Sequence, residues 1–427
     1  MRRHRSLRRA APGVVLALAL ATAGACSSSR EEPAKSQDRA PVGLPTPVPG
    51  FDGVTIRLGV LTAATGPESL IGFPLTAGTK AYFDYVNTEL GGIGGKYKVE
   101  FDAQDVGAGA PAALGAYAAV KDDTVMIASA LGTAVTSSLL PELRKDGGLA
   151  APALVDVTTD PNLFPVGVPV GVQAINAIHW YVAAHGRADT VCSLVQADAY
   201  GVAGADGLAA AAKALDVELG VSAALPAPPA PGGDLSAQIR QLTEGTCDAV
   251  VLIATPSVAA AALTQASAAS FAPQWIGLSA SWTSTLATSP IAPYLEEHLT
   301  VLTNGPEYGD GSVDGMLELV RIKAAYAPSA APDPWFTVGF VQAAAVTALL
   351  DRAVARSDLS HAGILAAGTS LRVSFDGLAG SMTYGPDGRR TLPTASAVAK
   401  VDPTIPYGLT LVAPKVESPL ARTYLRG

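Results

Sequence analysis

Charge, aromatic rings and thiols are all scarce in this 427-residue chain: 15% of residues are charged, 6% are aromatic and cysteine occurs three times. Histidine occurs five times, at positions 4, 179, 185, 298 and 361. His179 and His185 stand six apart, which suits neither a helical metal pair nor a hydrolytic base with an evident partner. Gly277-Leu278-Ser279-Ala280-Ser281 lacks the second glycine of a nucleophile elbow. No metal, no cofactor and no enzymatic constellation is therefore expected. Basic side chains are too few for a nucleic-acid partner, with 29 Lys and Arg against 37 Asp and Glu, a net charge of −8. Long apolar runs are missing too. The mean hydropathy of +0.30 comes from alanine, and no run approaches the roughly 20 residues of a spanning helix. Val338–Leu350 comes nearest, but Gln342 and Thr347 interrupt it and Asp351-Arg352 ends it, so it reads as a buried helix.

The N-terminus is made of different material. Arg2, Arg3, Arg5, Arg8 and Arg9 precede an apolar run from Val14 to Ala21, and Ala23-Gly24-Ala25-Cys26 follows. A basic start, a short apolar stretch and small residues describe a secretory signal peptide over 1–25. With Cys26 directly after the small residues, it resembles a bacterial lipoprotein signal, in which that thiol is lipidated. Ala23 departs from the usual leucine there; the alternative is an ordinary signal peptide that happens to carry a cysteine. The mature chain would then hold 24 basic and 37 acidic side chains, a net −13, as suits a soluble, self-repelling secreted domain. Residues 26–53, with prolines at 33, 41, 45, 47 and 49, read as the lipidated cysteine and a disordered linker. Cys192 and Cys247 remain as one possible pair, the alternative being two buried free thiols. If Val191–Val195 and Val250–Ile253 are neighbouring parallel strands, both thiols lie near their N-terminal ends.

From Val54 onward strand and helix signals alternate. Val54–Val60 reads as a strand, Pro74–Leu90 as a helix stopped by Gly91-Gly92, and Tyr97–Phe101 as a strand. A helix at Pro111–Val120, a strand at Val125–Ala128, a helix at Thr136–Arg144 and a strand near Ala153–Val157 complete a first set. Gln173–His185, Gly201–Ala214, Leu235–Leu242 and Ser257–Ala269 are the helices of a second set. Its strands are Thr190–Val195, Val217–Ala223, Val250–Ile253 and Trp275–Leu278, and Pro226–Pro231 is an inserted loop. Helices at Val313–Tyr326 and Phe336–Ala355 and strand-and-turn segments at Gly377–Tyr384, Thr394–Val401 and Leu409–Leu411 finish the chain. This order predicts an α/β fold of two doubly wound parallel-sheet lobes joined by a multi-strand hinge. The expected division is lobe 1 over 54–172, lobe 2 over 173–303, a return to lobe 1 over 304–376, and a hinge and C-terminal part, mainly lobe 2, over 377–427.

Gly91-Gly92-Ile93-Gly94-Gly95 follows a helix and precedes a strand, the reverse of a dinucleotide fingerprint. The ends of strands carry more: Thr62–Pro67, Gly132–Ser137 and Thr158-Thr159 offer hydroxyls and free amides that suit a carboxylate or carbonyl. Each, taken singly, also fits a helix cap.

Ile56–Leu61 leading to Thr65-Gly66-Pro67, then Gly72, Gly78 and Gly91–Gly95, resembles the start of the branched-chain amino-acid-type periplasmic binding proteins of ABC importers. Leu131-Gly132-Thr133, Thr158–Pro161, Tyr200-Gly201 and Phe375-Asp376-Gly377 extend the resemblance over nearly all of 54–400. It implies the type I two-lobed fold and capture of a small solute between closing lobes. It also implies delivery to a membrane permease, by a monomer held to the outer face of the cell membrane by its lipid. A ligand sensor of the same fold is the alternative; an enzyme and a structural wall lipoprotein are further ones. By the resemblance, Thr136 stands at or near the serine that holds a ligand carboxylate, with Val157, Thr158 and Thr159 adding contacts; Thr65, Thr133 and Ser137 are candidates from the strand-end hydroxyl clusters. Tyr200 stands where an aromatic descends on the ligand, and Thr255 follows another contact strand. Where amino-acid binders carry an acid for the ligand ammonium, this chain has Ser279, Ser281 and Trp282; Asp198, Glu68 and Glu307 are the acids that would have to substitute. An apolar or aromatic carboxylate, or an amide, suits Trp282 and Trp335 better than an α-amino acid.

Overall fold

A computed structural model of the chain describes residues 43–107, 109–154, 159–186, 189–225, 233–386 and 389–425. Cys26, Val157, Thr158 and the loop 226–231 lie outside the described residues. The first alternation is β1 (Thr55–Thr62), α1 (Ser69–Thr88), β2 (Lys98–Asp105), α2 (Ala110–Val120), β3 (Ile127–Ala130), α3 (Thr133–Asp146) and β4 (Ala150–Pro152). Its strands are parallel, in the order β2-β1-β3-β4. Successive side chains of β1 go to opposite faces. Ile56 and Leu58 pack with Phe83 and Val86 of α1, whereas Leu61 packs with Tyr117 of α2 and Leu139 of α3. Both faces are thus covered, as a parallel sheet requires. The strand expected near 153–157 lies earlier, at β4, where pairing with β3 overrides the weak strand preference of Ala-Ala-Pro. The glycine run after α1 is a turn: Gly91, Gly92, Gly94 and Gly95 all take positive φ, and buried Ile93 bonds across it to Tyr97.

The second alternation runs α4 (Val170–His185), β5 (Val191–Gln196), α5 (Ala199–Leu215), β6 (Leu219–Leu225), α6 (Ser236–Glu244), β7 (Ala249–Ile253), α7 (Pro256–Ala268), β8 (Gln274–Gly277), α8 (Ala292–His298) and β9 (Leu299–Thr303). After β9 come α9 (Asp314–Tyr326), α10 (Pro334–Ala355), α11 (His361–Gly368), β10 (Leu371–Val373), β11 (Met382–Tyr384), β12 (Arg390–Thr391), β13 (Ser396–Val401), β14 (Leu409–Val416) and α12 (Ala421–Tyr424). Seven strands form the second sheet, in the order β14-β13-β9-β8-β7-β5-β6, with β13 and β14 antiparallel to their neighbours. Val251 faces the α4 and α5 side while Val250 faces α6 and α7. Cys192 of β5 and Cys247, just before β7, form a disulfide with Cα atoms 5.7 Å apart.

The segment after β9 packs back on the first core. Met316, Leu319 and Ile322 of α9 and Phe336, Val346 and Leu350 of α10 share the cluster of Ile56, Leu58 and Phe83. Among the described residues, α10 is the helix long and apolar enough to cross a membrane by length and composition; here its apolar side chains fill this core. Its backbone touches α1 because two glycines face each other. A Cβ on Gly78 would stand 2.0 Å from the Phe336 oxygen, and one on Gly339 2.0 Å from the Leu75 oxygen.

Two expected boundaries move. Phe51, placed in the linker by composition, is buried against Tyr97 with ring centroids 5.0 Å apart and bridges to Ile56, so the packed chain starts before 54. Leu378, Met382, Tyr384 and Leu392, expected mainly with lobe 2, pack into the first core instead, where Tyr384 stacks on Phe164. Only β13 and β14 of this stretch join the second sheet. The misplacement has a physical cause: β10, β11 and β12 are two or three residues long and give no usable period.

Candidate functional site

A cavity of about 130 Å³ lies beyond the C-terminal end of β9, beneath the N-termini of α4 and α10. Strand ends and helix starts meet there, the position where ligands sit in open α/β sheets. Its walls come from segments far apart in sequence. Ala153 and Leu154 follow β4, Val168 and Val170 open α4, and Tyr200 opens α5. Ser279 and Trp282 follow β8, Thr303 to Glu307 end β9 and continue from it, and Trp335, Val338 and Val341 belong to α10. Leu378, Met382 and Tyr407 close it. The described lining contains no lysine, arginine or histidine, and Glu307 is its one charged side chain.

The two tryptophans are fixed by their ring nitrogens. Trp335 Nε1 donates to the Trp282 carbonyl at 3.0 Å, and Trp282 Nε1 donates to the Tyr407 carbonyl at 3.0 Å. Asp333 caps α10, accepting from Trp335 N at 2.8 Å, and also accepts from the Thr283 and Ser284 hydroxyls. With both indole donors used, these rings have only apolar surface left to offer. The polar atoms that remain available belong to other residues. Tyr200 Oη, Thr303 Oγ1 and Asn304 Oδ1 are buried and have no protein partner, while Asn304 Nδ2 donates to Ser279 Oγ at 3.2 Å. Burial pushes the Tyr200 hydroxyl far above its ordinary range, so it stays a neutral donor.

Of the expected site residues, the structure brings Tyr200, Trp282 and Trp335 into this cavity. The described members of the hydroxyl cluster of the first sheet do not line it. Thr136 lies one turn inside α3 and donates its hydroxyl to the Gly132 carbonyl at 2.9 Å, so that proton is already spent within the helix. Thr65 is exposed and donates to Asp105 at 2.6 Å. Thr133 is buried, Ser137 half-buried and Thr159 exposed; none of them lines the cavity. Ser281 is structural in its placement: its hydroxyl is 3.0 Å from both the Leu252 and the Ala254 carbonyl. Thr255 stands at the N-terminal boundary of α7 and donates to Gln196 Oε1 through both N and Oγ1 at 3.0 Å. The residues missed were Thr303 and Asn304. Their signal was present in Leu299–Thr303, a β-branched run closed by Asn304-Gly305-Pro306.

Next to this set, Glu68 at the start of α1 faces Thr255 and Asp198. Desolvation, reinforced by the Asp198 charge and only partly offset by the Thr255 hydroxyl, pushes its carboxyl from the ordinary 4.5 up to about 7. Of the three acids considered as ammonium partners, Glu307 lines the cavity, where its carboxylate accepts from Leu411 N at 3.2 Å. Glu68 and Asp198 do not line it.

Comparison with known proteins agrees with this architecture. The fatty acid ABC transporter substrate-binding protein from Thermomonospora curvata superposes with a TM-score of 0.80 at 23% identity, over 89% of this chain and 97% of that one. The branched chain amino acid ABC transporter protein from Thermus thermophilus, with bound valine, gives 0.72 at 17% identity, over 88% and 100%. The solute binding protein from R. palustris in complex with benzoate gives 0.67 at 16% identity, over 86% and 98%. No match is found among the curated proteins. The fold is therefore that of the type I periplasmic binding proteins. Residues 55–404 match the family described as periplasmic binding protein, and the chain belongs to that family of solute-binding proteins.

Proposed function

We propose that the protein captures a small, largely apolar organic solute in the cavity between Tyr200, Trp282 and Trp335 and hands it to an ABC permease, without chemistry of its own. The observation that carries this reading is the cavity itself: an apolar enclosure with three buried polar atoms that have no protein partner. An unpaired buried polar atom costs roughly 1–3 kcal/mol, so a solute that satisfies these atoms gains where the free protein loses. Supporting it, the similar structures bear names that include a fatty acid, valine and benzoate, each with an apolar body. The described hydroxyls of the first sheet, expected to hold a carboxylate, are not among the residues that line this enclosure. Closure of the two lobes over the solute would then be driven by burial of its apolar surface. Export and lipidation at Cys26 would place this event at the outer face of the cell membrane. The site is tested by Ala153→Phe, which fills the enclosure from one wall. Small apolar solutes should shift the tryptophan fluorescence of the wild type, since two of the four tryptophans line the site. The filled variant, folded by circular dichroism, should show no such shift; an unchanged response places binding elsewhere.

A further inference from the structure

The cavity also says what kind of head group it takes, an inference that rests on the proposed site. We propose that the ligand is uncharged, with an apolar body and a polar end that donates a hydrogen bond to Asn304 Oδ1 and meets Tyr200 Oη and Thr303 Oγ1.

Size comes first. One water needs roughly 10–15 Å³ of such space, so about 130 Å³ holds on the order of ten non-hydrogen atoms. An anion finds no cationic partner: the described lining offers no lysine, arginine or histidine, and the Glu307 carboxylate would repel it. Nor are the indole N–H groups free to serve, because Trp282 and Trp335 both donate to backbone carbonyls. A cation fares little better. Glu307 already accepts from Leu411 N, and most of the remaining wall is apolar, with neutral oxygens too few to replace the water lost around an ammonium.

An uncharged donor fits what is left. Asn304 is oriented by its amide nitrogen, which donates to Ser279 Oγ, so its oxygen is the end without a protein partner. An oxygen can only accept, so the ligand atom beside it must donate. Tyr200 Oη is kept neutral by burial and can donate to an oxygen on the same head group, and Thr303 Oγ1 can do either. A primary amide or an alcohol on a short alkyl or aryl body has this combination. A carboxylate lacks the donor, and an α-amino acid adds two charges with no matched pair of partners.

The test uses matched probes with one body and three head groups: octanamide, octanoate and octylamine, each titrated by calorimetry at about neutral pH. Octanamide should bind at least tenfold more tightly than either charged probe. Tyr200→Phe and Thr303→Val should each weaken octanamide about tenfold, yet melt no lower than wild type, because each removes a buried polar atom that has no protein partner. A purely structural role for these hydroxyls would lower the melting temperature and leave affinity alone, and that result overturns the assignment. Tightest binding by octanoate or octylamine overturns the uncharged class, and so does binding of none of the three. Ala153→Phe separates this failure from failure of the site. Charged-probe binding that the filled variant abolishes leaves the cavity as the site and refutes only the head group. Binding that survives filling refutes both.

Discussion

At the scale of single residues, the difference between an expected contact and an observed one lies in where each hydroxyl proton goes. Thr136, Ser281 and Thr255 have their hydroxyl groups engaged within the protein, while Tyr200 and Thr303 keep theirs without a partner. Glu68 is the residue whose surroundings make the clearest demand. Its carboxyl is pushed up to about 7, first by desolvation and then by the Asp198 charge. Between its ordinary 4.5 and about 7 the folded chain holds a proton that the unfolded chain has released. Stability therefore falls as pH rises through that window and the penalty is complete above it. Glu68→Gln carries no such charge. Its melting temperature should stay flatter than that of wild type between about pH 5 and 8 and lie above it at the upper end. Parallel melting curves across that range would show that Glu68 is not the group responsible. Residue by residue, Tyr200 was expected from the family resemblance, and Trp282 and Trp335 from the aromatic surface they offer where an acid is missing; all three line the cavity. The partners of a threonine were not legible, because its bond to a carbonyl four residues back leaves no mark in the sequence.

At the scale of elements, long periodic segments were the legible ones. β1, α1, α5, β7 and α10 stand within a few residues of where their patterns put them, since each buries a continuous stripe. The unread elements are of two kinds. β10 and β12 are too short to show a period, and α8 runs into β9 without an intervening turn. The loss of β9 mattered most, because its end supplies Thr303 and Asn304. The helix pair α1 and α10 gives a direct test of how the cavity is held. Gly78 and Gly339 let the two backbones touch, and α10 brings Trp335 and Val338 to the cavity from that contact. A methyl on Gly339 would meet the backbone of Leu75, which cannot turn away as a side chain would. Gly339→Ala should therefore destabilise by about 1–3 kcal/mol, although alanine is the better helix former by roughly 1 kcal/mol. The sign decides the matter in a urea unfolding experiment: a stabilised variant would mean that the two helices do not approach so closely.

At the scale of the whole molecule, the chain combines a strongly acidic body with a basic, apolar N-terminus, and the two make opposite demands on a membrane. Without residues 1–25 the net charge is −13, and an anionic leaflet repels such a body. The body therefore has no electrostatic means of staying at the membrane, and α10, apolar enough by composition to span one, has its apolar side chains in the first core. On the proposed lipidation, retention falls to Cys26. A single acyl chain holds only marginally and reversibly, so firm anchoring needs more than one chain on that residue. Cys26→Ser removes the acceptor and leaves the charge, the signal and residues 43–425 untouched. The variant should move from the detergent-rich to the aqueous phase on partitioning, or remain unprocessed. If secreted, it should bind solutes as tightly as the wild-type body, since the described lining of the cavity comes from those later residues. A Cys26→Ser protein that still partitions into detergent would show that something other than this thiol holds the molecule at the membrane.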